Sequence, residues 1–144
     1  SPLMSKRLGK FLYAMEEYEM SAKAYEFSYK GNMDDIYCLL NACYIRSRFL
    51  KDFDNSNKKL KDLIKHKPTF APAYYNLACN YNREYNEFKD SSQNEYILNL
   101  KNKAAENVKY ALIHDKGLYS EAIKDSALKG IDIETIFKDI KNEA

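Results

Sequence analysis

Apolar and polar positions recur along the chain every three to four residues, the period of an amphipathic helix. The clearest instance is Ala71 to Tyr81, where Tyr74, Leu77, Ala78 and Tyr81 fall at i, i+3, i+4 and i+7. Two rings, one branched aliphatic and one methyl group therefore share a face. The small residue at the centre lets a second helix approach while the large ones fill the edges of the contact. The stretch thus predicts half of a helix pair. Pro72 stands in the first turn, where a helix tolerates it. Gly31, Gly117 and Gly130 follow apolar runs, the favoured place for a left-handed cap, and Pro68 ends another run. Gly9 alone lies inside a helical run, which points to close packing there. No strand-like alternation is present. Helices are predicted near residues 3–14, 18–30, 34–48, 55–66, 71–87, 93–114, 119–129 and 133–142. The fold class is all-α, about eight antiparallel helices joined by short connections.

The pairs repeat. Leu8-Gly9-Lys10-Phe11-Leu12 opens one, with Tyr18, Ser21, Tyr25 and Ser28 on its partner helix. Tyr37, Leu40, Asn41 and Tyr44 open a second, with Ser56, Leu60 and Leu63 opposite. Tyr74, Leu77, Ala78 and Tyr81 open a third, with Ala104, Val108 and Ala111 opposite. Tyr74-x2-Leu77-Ala78-x2-Tyr81, with Pro68 six residues upstream, resembles the tetratricopeptide repeat, a 34-residue helix-turn-helix unit. The resemblance implies a right-handed α-α superhelix spanning residues 1–144 as one domain. Repeats would lie near 2–33, 34–68 and 71–116, with a degenerate capping pair at 119–142 that carries Glu121-Ala122-x2-Asp125-x2-Leu128. The third repeat holds roughly 14 residues more than the unit length. Ser92-x2-Glu95 reads as a capping box that starts a lengthened second helix. Tyr96, Ile97, Leu98 and Leu100 would lie near its tip, covered by Tyr85 and Phe88 or, alternatively, open to self-association.

The family binds extended peptides or partner helices on its concave face. Carried over position by position, that face would present Lys6, Arg7, Lys10 and Tyr13 from the first repeat, Ile45 and Arg46 from the second, and Tyr75, Asn76, Cys79, Asn82 and Arg83 from the third. Basic rims around a small apolar and aromatic floor suit a protein or peptide with acidic residues and one or two apolar anchors. The family's clamp for chaperone tails would need Lys and Asn from the first repeat, Asn from the second, and Lys and Arg from the third. The corresponding positions here are Lys6, Lys10, Leu39, Pro72 and Asn76, and only the first matches.

Composition narrows the choice. Charge nearly balances, 23 Lys and Arg against 21 Asp and Glu, which gives no bulk attraction for nucleic acid or an anionic membrane. No run approaches the ~18–20 apolar residues of a membrane span, and Ser1 to Arg7 does not read as a secretory leader. Thirteen tyrosines and no tryptophan suit helix pairs whose edges reach water, because the ring buries while the hydroxyl stays wet. Cys38, Cys43 and Cys79, an odd number on apolar helical segments, favour reduced packing thiols and a cytoplasmic setting. His66 and His114 each fall in a last helical turn without a partner at metal-ligand spacing, and read as caps. No phosphate loop, nucleophile elbow or metalloprotease motif occurs. The expected function is a non-enzymatic interaction module with neither cofactor nor metal. The alternative is a helical nucleic-acid-binding or regulatory domain.

Overall fold

A computed structural model describes residues 1–143. They form eight α-helices: α1 (Pro2–Ala14), α2 (Tyr18–Gly31), α3 (Ile36–Arg48), α4 (Phe53–His66), α5 (Ala71–Phe88), α6 (Glu95–His114), α7 (Tyr119–Ala122) and α8 (Ile133–Glu143). Short 3-10 turns stand at Lys116–Leu118 and Ser126–Leu128, and the described residues contain no strand. The chain divides into two compact units, Ser1–Lys59 and the remainder from Leu60, with the boundary inside α4.

In the first unit the hydroxyl of Ser1 caps α1 by accepting from the Met4 N–H, with Pro2 in the first turn. The helix ends without glycine. Glu16 takes the left-handed conformation (φ 61°), the Glu17 N–H reaches the Leu12 carbonyl at 2.9 Å, and the Glu16 N–H reaches that of Tyr13 at 3.0 Å. These are the two bonds of a Schellman ending. Helix α2 returns antiparallel to α1. Gly9 is buried against Tyr25, and a Cβ at this position would stand 3.0 Å from Cδ2 of the ring. The Ser21 hydroxyl donates to the Gly9 carbonyl at 2.7 Å, and that of Ser28 to the Pro2 carbonyl at 2.6 Å. The same device recurs where the Ser56 hydroxyl of α4 donates to the Cys43 carbonyl of α3 at 2.8 Å. Ala22 and Tyr25 of α2 meet Cys38, Ala42 and Ile45 of α3 in the core.

In the second unit α5 and α6 pair antiparallel, and Tyr75, Ala78 and Cys79 pack with Val108, Ala111 and Leu112. Ala122, Leu128, Ile133 and Ile140 of the C-terminal segment close the same core. Asn94, not Ser92, caps α6, its side-chain carbonyl oxygen accepting from the Ile97 N–H at 2.9 Å. The Ser92 hydroxyl instead accepts from the Asn94 amide at 3.1 Å. Ile97 and Leu100 at the tip of α6 are buried, Tyr96 and Leu98 are half exposed, and the Tyr96 hydroxyl donates to Glu84 of α5 at 2.8 Å.

Two local expectations are corrected. The helix expected over 119–129 stops at Ala122. Asp125 is extended there (ψ 116°), and its carboxylate accepts from the Ala127 N–H, which starts a separate 3-10 turn. A carboxylate that bonds its own backbone two residues on competes with the helix ladder. Of the three glycines expected as left-handed caps, only Gly130 has positive φ (91°). Gly31 is the last residue of α2 and lies against Pro2, and Gly117 sits within a 3-10 turn.

Candidate functional site

Helix α1 turns a mixed face toward α3. Its Lys6 ammonium donates to the Asp35 carboxylate at 2.7 Å, and the Tyr13 ring meets Phe49 edge-on at 5.8 Å between centroids. Half a helical turn away lie Met4, Leu8, Phe11 and Met15, at i, i+4, i+7 and i+11. On α2 the residues that face α3 are Ala22 and Tyr25, and the opposite side carries Met20 and Phe27. These six side chains are each 50–63% exposed. They form an apolar flank on the side of the α1–α2 hairpin away from α3. Six large apolar residues grouped in this way exceed the scattered exposure normal for a surface. Arg7 and Lys10 border the flank on α1, Lys23 and Lys30 on α2, and all four are exposed.

The residues expected to line a concave groove have several fates. Arg7 and Lys10 are open, Tyr13 is 36% exposed, and Lys6 is engaged by Asp35. Ile45 is buried in the core. Arg46 is buried among carboxylates, its Nε 2.8 Å from Glu26, with Glu19 at 3.6 Å and Asp52 at 3.7 Å from the guanidinium. A buried charge needs such partners, so Arg46 fixes structure and does not present a free cation. Tyr75, Cys79 and Asn82 are buried under the chain's own C-terminal segment. The Tyr75 hydroxyl donates to Asp125 Oδ2 at 2.8 Å, and the Asn82 amide donates to the carbonyls of Ala127 and Lys129 at 2.8 and 2.9 Å. Asn76 turns back to the Pro72 carbonyl of its own helix at 2.9 Å, and Arg83 reaches Asn80 at 3.4 Å. Within α5, then, the face expected to receive a partner already has an occupant.

The chemistry of this covered face is quiet. Burial pushes the Cys79 thiol up to about 12, and the nearby Asp125 carboxylate adds to the shift. Burial likewise pushes Cys43 to about 12. Thiols held protonated in this way are poor nucleophiles and poor metal ligands. Burial, then the hydrogen bond to Asp125, also raises the Tyr75 phenol. The His66 ring lies 2.9 Å from the Asp62 carbonyl, and the His114 ring stacks on Tyr74 at 5.4 Å. Among the described residues no three His, Cys, Asp or Glu side chains group closely enough to share a metal ion.

Sequence reasoning missed the flank because Leu8 and Phe11 belong to the run that opens the first helix pair, where they read as interior. The available signal was a second apolar row on the same helix. Met4 and Phe11 stand well around the helix from Gly9, and Leu8 and Met15 join them to the Leu12 edge of the packed face.

The fold and these faces define an all-helical chain of antiparallel helix pairs with an open apolar flank. Comparison with known protein families, with characterised proteins and with solved structures gave no significant match.

Proposed function

We propose that this chain is a non-enzymatic, tetratricopeptide-type interaction module. Its α1–α2 flank takes an amphipathic helix of a partner protein whose polar edges are acidic. The observation that carries the reading is the row Met4, Leu8, Phe11 and Met15, extended by Met20 and Phe27. Apolar side chains at i, i+4, i+7 and i+11 form the ridge that a second helix packs against. The bordering Arg7, Lys10 and Lys30 favour acidic residues beside the partner's apolar stripe and steer its approach, while the Lys23 ammonium lies 3.7 Å from Glu19 of its own helix. Helix α3 already docks on the opposite side of the same hairpin, so a helix on this flank would repeat a packing mode the unit uses internally. The buried, protonated thiols support the non-enzymatic reading, and three free cysteines support a reducing, cytoplasmic setting.

A display library of amphipathic helical peptides with acidic flanks, selected on the protein, tests the proposal. A selected peptide is expected to shift the backbone amide signals of Leu8, Phe11, Met20 and Phe27. The Leu8→Glu/Phe11→Glu double variant is expected to lose at least tenfold in affinity with an unchanged helical circular-dichroism spectrum. Signals that move only on α3 or α5, or equal affinity in the variant, overturn it.

A further inference from the structure

The second unit contains a cavity of about 480 Å³ that no part of the proposed interaction uses. Its walls are Tyr85, Asn86 and Lys89 around the end of α5, Lys101 of α6, and Ser126, Lys129 and Gly130 of the segment before α8. Three lysines therefore converge on one space from three different parts of the unit. The ammonium of Lys89 lies 6.0 Å and that of Lys101 5.8 Å from the centroid of the Tyr85 ring. Lys101 Nζ lies 3.7 Å from the point where a Cβ on Gly130 would stand. None of the three lysines is paired with a carboxylate among the described residues. Elsewhere lysines do find acids, as Lys6 finds Asp35 and Lys59 finds Glu26 at 3.2 Å.

The wall before α8 is held in place by specific bonds. The fully buried Asn82 donates to the carbonyls of Ala127 and Lys129, which fixes the backbone that carries Lys129. Asp125 accepts from the Ala127 N–H on one oxygen and from the Tyr75 hydroxyl on the other. Gly130, at φ 91°, lets the chain turn there without a side chain, which leaves the space beside Lys101 open. Two of the side chains expected to meet a partner thus position the mouth of this cavity.

We infer that the Lys89–Lys101–Lys129 cavity binds a small soluble phosphate ester or diphosphate. Three like charges facing one space repel each other, and a polyanion between them converts that repulsion into attraction. Ammonium groups act as point charges on phosphate oxygens, and the site has no guanidinium fork of the kind that selects a planar carboxylate. The volume falls within the ordinary range for a small-molecule site, about 300–1,000 Å³. The Tyr85 ring, itself partly exposed, offers an apolar wall for the non-phosphate part of the ligand.

Calorimetric titration of the whole chain with inorganic pyrophosphate at physiological ionic strength tests this, with amide shifts mapped in parallel. Saturable binding is expected, with shifts at Tyr85, Ser126 and Gly130. The Lys101→Ala/Lys129→Ala variant, both sites exposed, is expected to bind at least tenfold more weakly at an unchanged melting temperature. The Leu8→Glu/Phe11→Glu variant is expected to bind pyrophosphate like the parent, so failure here and failure of the helix-docking surface are separable. Absence of saturation, or equal affinity in the lysine variant, overturns the inference. Tighter binding of a short mixed-sequence RNA than of pyrophosphate, lost in the same variant, also overturns it in favour of a nucleic-acid backbone site.

Discussion

Helices α1 and α5 start alike and end up differently. Each has proline in its first turn, and each carries a row at i, i+4 and i+7. On α1 the row is Met4, Leu8 and Phe11, and on α5 it is Tyr75, Cys79 and Asn82. The α1 row is open, while the α5 row is covered by Ala122, Leu128, Ile133 and the segment between them. The rows differ in what a cover must supply. Tyr75 and Asn82 have polar ends whose burial calls for partners. The C-terminal segment brings a carboxylate to the Tyr75 hydroxyl and two carbonyls to the Asn82 amide N–H groups, while Asn82 Oδ1 is buried with no hydrogen-bond partner among the described residues. The α1 row offers a thioether, an aliphatic chain and a ring, with no strong donor or acceptor among them. A cover for it needs apolar surface and shape only, which a partner's amphipathic helix provides.

The largest effect expected from this contrast is on thiol reactivity. Cys79 lies under the covered face with its thiol pushed to about 12 from the ordinary 9.0, so its thiolate fraction at neutral pH falls about a thousandfold. Ellman's reagent is expected to leave Cys79 unlabelled in the native protein and to label it on denaturation. Rapid native labelling would show that the C-terminal segment leaves α5. Next in size, Asn82→Ala removes both donors to the Ala127 and Lys129 carbonyls and is expected to cost about 2–4 kcal/mol in urea unfolding. Leu8→Ala, on the open row, is expected to change stability by less than about 0.5 kcal/mol. Equal costs would mean that the α1 row is also covered in solution.

A smaller effect concerns the side of α1 that is already docked. The hydrogen bond from the Lys6 ammonium holds the Asp35 carboxyl below its ordinary value, and burial opposes that shift only in part. A carboxyl with a lowered value in the folded state stabilises it above the unfolded value, about 3.9, and loses that contribution as pH falls through the folded one. Asp35→Asn is therefore expected to flatten the stability curve below about pH 4 and to cost under about 1 kcal/mol at pH 7, since the pair is partly exposed. An effect of similar size concerns the cap of α1. Glu16→Gly relieves a left-handed non-glycine residue and is expected to raise stability by about 0.5–1 kcal/mol, read from the urea midpoint.

Much of the fold was legible in the sequence. The apolar period and the proline positions place α1 to α6 and α8 to within about two residues at most ends, because helix formation and its stops depend on neighbours a few positions away. The packing of Gly9 against a second helix was legible for the same reason. The break after Ala122 was not. Asp125 leaves the helix while its carboxylate holds Tyr75, fifty positions earlier in the chain, and no local pattern records that bond. The cap of α6 was misplaced by two residues because Ser92 and Asn94 are both good capping residues.

The candidate site was less legible than the fold. Sequence alone determined that the chain is helical, where its helices run, and that Tyr75, Cys79 and Asn82 share a face, as Met4, Leu8 and Phe11 do. Tertiary structure decided that the first face is filled by the chain's own C-terminal segment, that the second stays open, and that Lys89, Lys101 and Lys129 meet around one cavity. The physical reason is that a helical period fixes the direction of a side chain about its own axis. What stands opposite is set by contacts between residues far apart in sequence, through burial and hydrogen-bond satisfaction that no single helix can express.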